Sequence, residues 1–513
     1  MLARLEALEA SAVAREQRIE LLTEENRWLK AQLFSRSSER TAPSSPDQTP
    51  LFNEAEVLAA ITAANEADAT VKIEAHERKK RGGKRSHDHL PEVEVPHDLP
   101  EAEKVCTIHG IALKPMGVEK SRQLHFQPAQ ACVLVNVRYK YTCPCCEGTI
   151  RVAPLPPQIL PKSNATASLL GHIVTSKVVD GLPLYRQETQ FERLQVRLSR
   201  GTMAQWMIKL GGTHVVPIID LLEEQIRAAR LIHFDETRLQ VLHSDKEPTA
   251  DHWMWVRAAG PPGQRIILFD YDPSRGGEVP LRLLQGFTGI LLTDGWGAYE
   301  SVAAKLKLVH AGCWSHLRRG FHDVKKAQDK LKVKAMANVS IAVTALDFIR
   351  QVFMIDRLLW DTEHPVSAEQ RALVRHDRSA PIVAKFYDWI ASVAPQTPPE
   401  SRLGKAINYA INQRSKLEVF LTQGIVPMSN NICENAIRPF VVARKGFLFS
   451  TSQAGATATG RLFSLGQTAI ANGVEPYAYF THLFTQLPAA KTREHYEALL
   501  PWRVKGLPTL HNN

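Results

Sequence analysis

Along the first 34 residues apolar side chains recur at alternating three- and four-residue steps: Leu5, Leu8, Ala12, Ile19, Leu22, Leu29 and Leu33, with Arg15 and Asn26 in the same series. This is the a/d spacing of a coiled coil, and an amide such as Asn26 at an a position favours a two-stranded assembly. Residues 1–34 are therefore expected to form a coiled coil that joins copies of the chain, with a lone amphipathic helix as the plainer alternative. The pattern stops at Ser35, where a Ser-, Thr- and Pro-rich linker runs to Pro50. A short Ala-rich helix is expected over 51–77. Residues 78–85, cationic except for Gly82 and Gly83, cannot build a core. They act either as a solubilising segment or as a phosphate-tracking arm, so 35–99 reads as linker and basic arm.

Helical periodicity returns after residue 160. Ser168–Val179, Leu184–Leu194 and Thr202–Leu210 read as helices, with Ser199 placed to cap the third. The short connection Gln195–Arg200 makes 156–212 a candidate helix-turn-helix. It carries Arg186, Arg193, Arg197, Arg200 and Lys209, although helix pairs with short turns occur in many helical proteins. From residue 230 the period shortens: Leu231–Asp235, His252–Arg257, Arg265–Tyr271 and Gly289–Asp294 read as strands bounded by turn residues. Met336–Trp360 and Ala368–Ala394 are again helical. Ala131–Val137 looks like strand material, while Asp270 and Asp272, just ahead of Pro273, look like turn residues. Trp253, Trp255 and Trp296 are expected in the core or at strand edges.

Composition narrows the class. The chain has 513 residues, 44% hydrophobic and 23% charged, with a formal net charge of +10. The surplus of cations favours a polyanionic partner. No apolar run approaches the ~18–20 residues needed to span a bilayer, and no signal peptide is recognisable. The expected setting is cytoplasmic, without membrane contact. The seven cysteines are too few and too clustered for a disulfide framework. Cys106-x2-His109 and Cys143-x2-Cys146 instead pair donors as a structural zinc site does, making 100–155 a zinc-binding module for one Zn²⁺; Cys145 or Cys132 are alternative donors. Cys313 and His316 are only two donors, so packing or hydrogen bonding is expected of them rather than ligation.

Two carboxylates end strand-like runs: Asp235 in His-Phe-Asp-Glu-Thr and Asp294 in Leu-Thr-Asp-Gly-Trp-Gly. Acids at the ends of neighbouring strands can converge on a hard cation. Two cations about 3.5–4 Å apart would need a third acid, and Glu434 is the best candidate. Asn430, Glu434 and Arg438 are spaced to share one helix face, with Lys445 following, so that the carboxylate could hold metal beside a substrate phosphate.

In order, His-Phe-Asp-Glu-Thr, Leu-Thr-Asp-Gly-Trp-Gly-Ala-Tyr, Gly-Cys-Trp-Ser-His-Leu-Arg-Arg-Gly-Phe and Asn-Asn-Ile-Cys-Glu-Asn-Ala-Ile-Arg-Pro closely resemble transposases of the Insertion Sequence 66 family. The likeness extends to Leu-Phe-Ser-Arg-Ser-Ser-Glu-Arg near the N-terminus, to the cysteine pairs, to Leu-Pro-Leu-Tyr-Arg-Gln-Glu and to Ser464–Tyr479. Departures are small: His109 stands where many relatives have Cys, and Ser35 where Gly is common.

The resemblance implies an α/β multidomain chain. An RNase H-like mixed sheet would span 213–460, with a helical insertion at about 320–425, followed by a C-terminal helical segment at 461–513. It implies an Asp-Asp-Glu triad on Asp235, Asp294 and Glu434 that holds two Mg²⁺ (or Mn²⁺) ions, with Asp235 bridging them. The implied activity cleaves the ends of a mobile element and joins each 3′-hydroxyl to target DNA by phosphoryl transfer. Double-stranded DNA, a second copy of the chain and accessory proteins of the same element are the implied partners. Arg186, Arg197, Arg200, Arg318, Arg319, Arg438 and Lys445 are the expected DNA contacts. A non-catalytic DNA-binding regulator, or an RNase H-like nuclease that cuts without joining, is the alternative.

Overall fold

The computed structural model describes residues 131–138, 140–142, 150–152, 154–329, 337–360 and 365–510, together with Arg15, Ile19 and Thr23 near the N-terminus. The chain divides into two units, Arg36–Cys132 and the remainder. The first lies almost wholly outside the described residues, as do most of the 1–34 repeat, the linker and basic run, and Cys106, His109, Cys143 and Cys146. The second unit carries all the helices and strands of the described residues.

A short antiparallel pair, β1 (Lys140–Thr142) and β2 (Ile150–Val152), comes first. The expected strand at Ala131–Val137 is a correction. Residues 131–138 are exposed and carry no ladder, so β-prone residues without a partner strand or a surface to cover do not make a sheet.

Helices α1 (Ala167–Val178), α2 (Leu184–Arg193) and α3 (Arg200–Lys209) match the periodic segments within one or two residues. The Ser199 side chain caps α3, accepting from the Thr202 N–H at 3.2 Å. A π-helical turn, Leu210–His214, leads into α4 (Val216–Arg227). Gly211 is required in that turn, because a Cβ there would lie 2.5 Å from the Ala458 carbonyl oxygen.

The central sheet places β5 (Ile266–Asp272), β4 (Asp251–Ala259), β3 (Leu231–His243), β6 (Ile290–Thr293) and β7 (Val309–Gly312) side by side in that order, with a short β8 (Ser450–Ser452) also pairing β3. β3, β4 and β5 form an antiparallel meander. After helix α5 (Glu278–Leu283), β6 lies parallel to β3. Helix α6 (Gly297–Leu306) then crosses over to β7, parallel to β6.

Strand periodicity sorts β6 between two cores. Leu291 joins the larger one with Ile232, Phe234, Trp255 and Phe269, whereas Ile290 and Leu292 join the second. That second core belongs to helices between β7 and residue 428: α7 (Trp314–Asp329), α8 (Ala337–Leu358), α10 (Ala380–Val393), α11 (Arg402–Asn412) and two short turns, α12 (Arg414–Leu417) and α13 (Val419–Thr422), while α9 (Ala368–Val374) buries no residue. Trp314 anchors it against Phe386 and Phe420, and its Nε1 donates to the Leu417 carbonyl at 2.8 Å.

The chain returns to the sheet through α14 (Asn431–Phe447), β8 (Ser450–Ser452), α15 (Gln453–Ala471) and α16 (Pro476–Gln486), with a short α17 (Arg493–Glu497) last. Ser464 and Thr468 of α15 accept from the Phe269 and Ile267 N–H groups of β5, sealing that sheet edge.

Asp270 is a second correction. It lies inside β5 and pairs at 2.7 Å with Arg257, which is fully buried and also held by Glu223. Asp272 ends the strand and accepts from the Ser274 N–H at 2.8 Å while pairing with Arg282, so it does serve the turn. Trp255 is buried, and Trp253 and Trp296 pack against the same core.

Candidate active site

Asp294, just after β6, and Glu434, on α14, lie within electrostatic reach of Asp235 on β3. Asp235 does not end its strand as expected: it sits inside β3 opposite Val256, because pairing with β4 continues to Gln240, and its Oδ1 accepts from the Glu236 N–H at 2.9 Å. Burial pushes its carboxyl well above the usual range, and the charges of Glu236, Asp294 and Glu434 push the same way. Asp294 is the first residue after β6; its Oδ1 accepts from the Trp296 N–H at 2.9 Å, an Asx turn that fixes the side chain. Glu434 lies in the first turn of α14. Its Oε1 faces His316 Nδ1 at 3.5 Å, and its Oε2 accepts from Arg319 at 3.3 Å. Residues that a sequence scatters across β3, β6 and α14 are thus close enough for each acid to raise the cost of ionising Asp235.

Asn430 shows how α14 is aimed. Its spacing from Glu434 suggests a shared, phosphate-facing helix surface; instead it is wholly buried at the cap position. Its Nδ2 donates to the Phe234 carbonyl at 3.0 Å and its Oδ1 accepts from His233 Nδ1 at 3.0 Å. Its own N–H donates to Cys313 Sγ at 3.2 Å. Asn430 therefore ties the helix of Glu434 to the strand of Asp235 and to the start of α7. Burial drives His233 down to about 4, so the ring is neutral and Nδ1 is its donor.

Several residues that sequence reasoning does not single out complete the surroundings. Glu236 is buried at the side chain, paired with Arg275 at 2.7 Å and accepting from the Tyr299 hydroxyl. Burial raises its carboxyl, and the two partners oppose that rise. The Arg275 guanidinium lies 4.7 Å from the Trp253 ring and 4.8 Å from that of Trp296. Tyr409 packs on the backbone beside Asp294: a Cβ on Gly295 would lie 2.4 Å from its ring. Adjacency to Asp235 in Asp-Glu-Thr is the one sequence signal for Glu236; Arg275 and Tyr409 have none.

Cys313 and His316 acquire a third donor. Cys313 Sγ, a His316 ring nitrogen and a Glu434 oxygen lie within 4.8 Å of one another. Burial pushes the Cys313 thiol up to about 11, against opposing hydrogen bonds from the backbone of Asn430, His316 and Ser315.

The expected DNA contacts fall in two places. Arg186, Arg197 and Arg200 are exposed on or beside α2 and α3, with Arg186 hydrogen-bonded to Tyr185 and Arg200 beside Glu188. Arg318 and Arg319 are on α7, and Arg438 and Lys445 on α14, the two helices that meet at Glu434. Arg319 differs from the expectation in already contacting Glu434. Among the described residues no helix is long and apolar enough to cross a membrane.

Comparison with known proteins places these segments in order. The model described as Transposase IS66 family matches residues 162–458, more than half of the chain. The IS66 C-terminal element matches 464–502, the zinc-finger binding domain of transposase IS66 matches 103–147, and Transposase C of IS166 homeodomain matches 21–95. The chain is similar to y4qI of Sinorhizobium fredii (strain NBRC 101917 / NGR234), an uncharacterized protein, at 31% identity over 98% of this chain and 92% of the relative. It is also similar to y4jD of the same organism, likewise uncharacterized, at 30% identity over 82% of this chain and 81% of the relative.

Proposed function

This chain belongs to the IS66 transposase family, and from that premise we propose that it cleaves the ends of a mobile DNA element and joins the freed 3′-hydroxyls to target DNA. The observation that supports the reading is that Asp294 and Glu434 lie near enough to Asp235 to raise its protonation. A buried carboxylate raised by the charges of two nearby acids is what a divalent cation relieves, so the residues fit a Mg²⁺-class centre. The strand order, an antiparallel meander followed by two parallel strands, supports an RNase H-like reading of the domain.

Asp235, Asp294 and Glu434 would hold the two ions. When bound, such ions activate an attacking oxygen and stabilise the leaving one. The protein's own groups do the rest. Arg438, Lys445 and Arg318 would steady phosphates by charge. The Asn430 anchor keeps α14 in register with β3, so that Glu434 and Asp235 face one site. In the first half-reaction, water adds to the phosphorus at an element end and the 3′-oxygen leaves as a hydroxyl. In the second, that hydroxyl attacks a target phosphodiester and displaces its 3′-oxygen. α2 and α3, with Arg186, Arg197 and Arg200, are read as the helix-turn-helix that binds element ends. Cys106, His109, Cys143 and Cys146 would hold one structural zinc, a reading supported by the zinc-finger match over 103–147. Residues 1–34 would pair two copies.

Asp235→Asn, Asp294→Asn and Glu434→Gln proteins test the proposal. Each is expected to retain binding to duplex carrying the element's terminal repeats and to lose cleavage and strand transfer in Mg²⁺. Unimpaired transfer by any of the three removes it from the triad; cleavage without joining by the unaltered protein favours the nuclease alternative.

A further inference from the structure

We propose that Cys313, His316 and Glu434 form a binding site for one thiophilic divalent cation of the Zn²⁺ class, at the seam between α7 and α14. Their sulfur, nitrogen and oxygen donors lie within 4.8 Å of one another. The His316 Nδ1 and Glu434 Oε1 atoms are 3.5 Å apart and shut off from solvent, yet neither takes part in a hydrogen bond. Buried polar atoms are rarely left so, and a missing ion is one standard reason. The separation is near the edge of a tetrahedron whose centre lies about 2.0–2.2 Å from each donor, the bond lengths zinc makes to nitrogen and oxygen.

Cys313 supplies the remaining corner. It directly precedes α7, and the N–H groups of Asn430, Ser315 and His316 are directed at its sulfur. Metal binds the thiolate, and these N–H groups only partly offset the burial that keeps this sulfur protonated, so the cation must displace the thiol proton. The two-residue spacing to His316 places both donors on one side of the first helical turn. Sulfur and imidazole select Zn²⁺ or Co²⁺ over Mg²⁺, which prefers an all-oxygen shell. Three protein donors leave a fourth position, on the side where His316 and Glu434 are only half-buried. Binding exchanges the thiol proton of Cys313 for the cation and releases that proton to solvent.

The consequence for the activity proposed above rests on that proposal; the site does not. A cation held here engages Glu434 Oε1 while Arg319 holds Oε2, so Glu434 is withdrawn from Asp235 and Asp294, and the soft cation acts as an inhibitor.

The test is a Co²⁺ titration of the full-length protein carrying its own zinc. One further equivalent of Co²⁺ is expected to bind with a thiolate-to-cobalt charge-transfer band and one proton released. Cys313→Ser should lose the band, and His316→Ala should weaken the binding by about tenfold or more. Should Cys313→Ser fail to fold, the half-buried His316 variant still decides the matter. No added equivalent in the unaltered protein, or the same band and affinity in both variants, overturns the site. If Co²⁺ binds as expected while Glu434→Gln still transfers strands, the site stands and the catalytic reading falls. If Co²⁺ does not bind while Glu434→Gln is inactive, only the site falls.

Discussion

The side-chain amide of Asn430 donates to the carbonyl of Phe234 at 3.0 Å, joining residues that are neighbours in sequence of Glu434 and Asp235 but far from one another in the chain. One hydrogen bond thereby sets the helix that carries one acid against the strand that carries another. Because the same side chain accepts from His233, its two ends are both committed and the amide cannot flip without losing both bonds.

Asn430→Ala leaves the His233 ring N–H without its Asn430 partner and removes the bond to the Phe234 carbonyl, at about 1–3 kcal/mol for a buried donor left unrelieved. The expected result is a lower urea midpoint with unchanged slope. Strand transfer should fall further than the stability loss alone accounts for, since Glu434 loses its reference to β3. Equal stability to the unaltered protein would show that the network is idle.

Gly295→Ala places a methyl group against the Tyr409 ring, 2.4 Å from its nearest carbon. Either the ring or the Asp294 turn must shift. Activity should drop sharply, and a second change, Tyr409→Ala, should restore part of it by opening space. A double variant no better than Gly295→Ala would argue against the steric account.

Arg257 pairs with both Glu223 and Asp270 and is itself fully buried. Arg257→Met removes the charge while keeping the volume, and strands two partly buried carboxylates. A loss of about 3–5 kcal/mol is expected from breaking such a pair on one side, measured by equilibrium denaturation. Adding Glu223→Gln and Asp270→Asn should recover much of it.

Burial holds His233 at about 4, whereas an unfolded chain protonates histidine near 6.5. Between those values the unfolded state binds the extra proton, so stability falls as pH drops from about 6.5 towards 4 and levels out above that window. The full contribution is about 3 kcal/mol. An NMR titration should find the His233 ring neutral at pH 5. A ring titrating near 6.5 would contradict the buried, Asn430-bound geometry.

Asp235 shifts the other way. Its folded carboxyl is raised by burial and by Glu236, Asp294 and Glu434. Above the unfolded value near 4 the ionised form therefore costs stability, and the cost grows until pH passes the raised folded value. Asp235→Asn should then melt higher than the unaltered protein in EDTA at neutral pH, while losing strand transfer. A variant that melts lower would mean that the three acids do not repel one another.

Local signals are strong enough to mark α1 to α3, the Ser199 cap, and β4, β5 and β6 within two residues, whereas β3 continues eight residues past its expected end at Asp235 because β4 goes on pairing with it. Ser199 and the apolar periods act over one or two turns, where chemistry and sequence distance coincide. The segment at Ala131–Val137 fails as a strand because β-prone residues become strand only when another strand receives their hydrogen bonds. Asp270 escapes local reasoning on related grounds: its partner Arg257 lies on the adjacent strand β4, whereas the nearest cue in sequence is Pro273.

The sequence alone determined which residue types were available, in which order, and on which kind of element: Asp235 and Asp294 at strands, Glu434 on a helix, and the basic residues around them. Tertiary structure decided their company. Register across β3, β4 and β6, the return of α14 onto β3 through Asn430, and the packing of α7 beside it brought Glu236, Arg275, Tyr409, Cys313 and His316 to the acids. Burial, charge repulsion and hydrogen-bond completion depend on distances of a few ångströms across chain separations of tens to hundreds of residues, and those distances exist only once the two cores have formed.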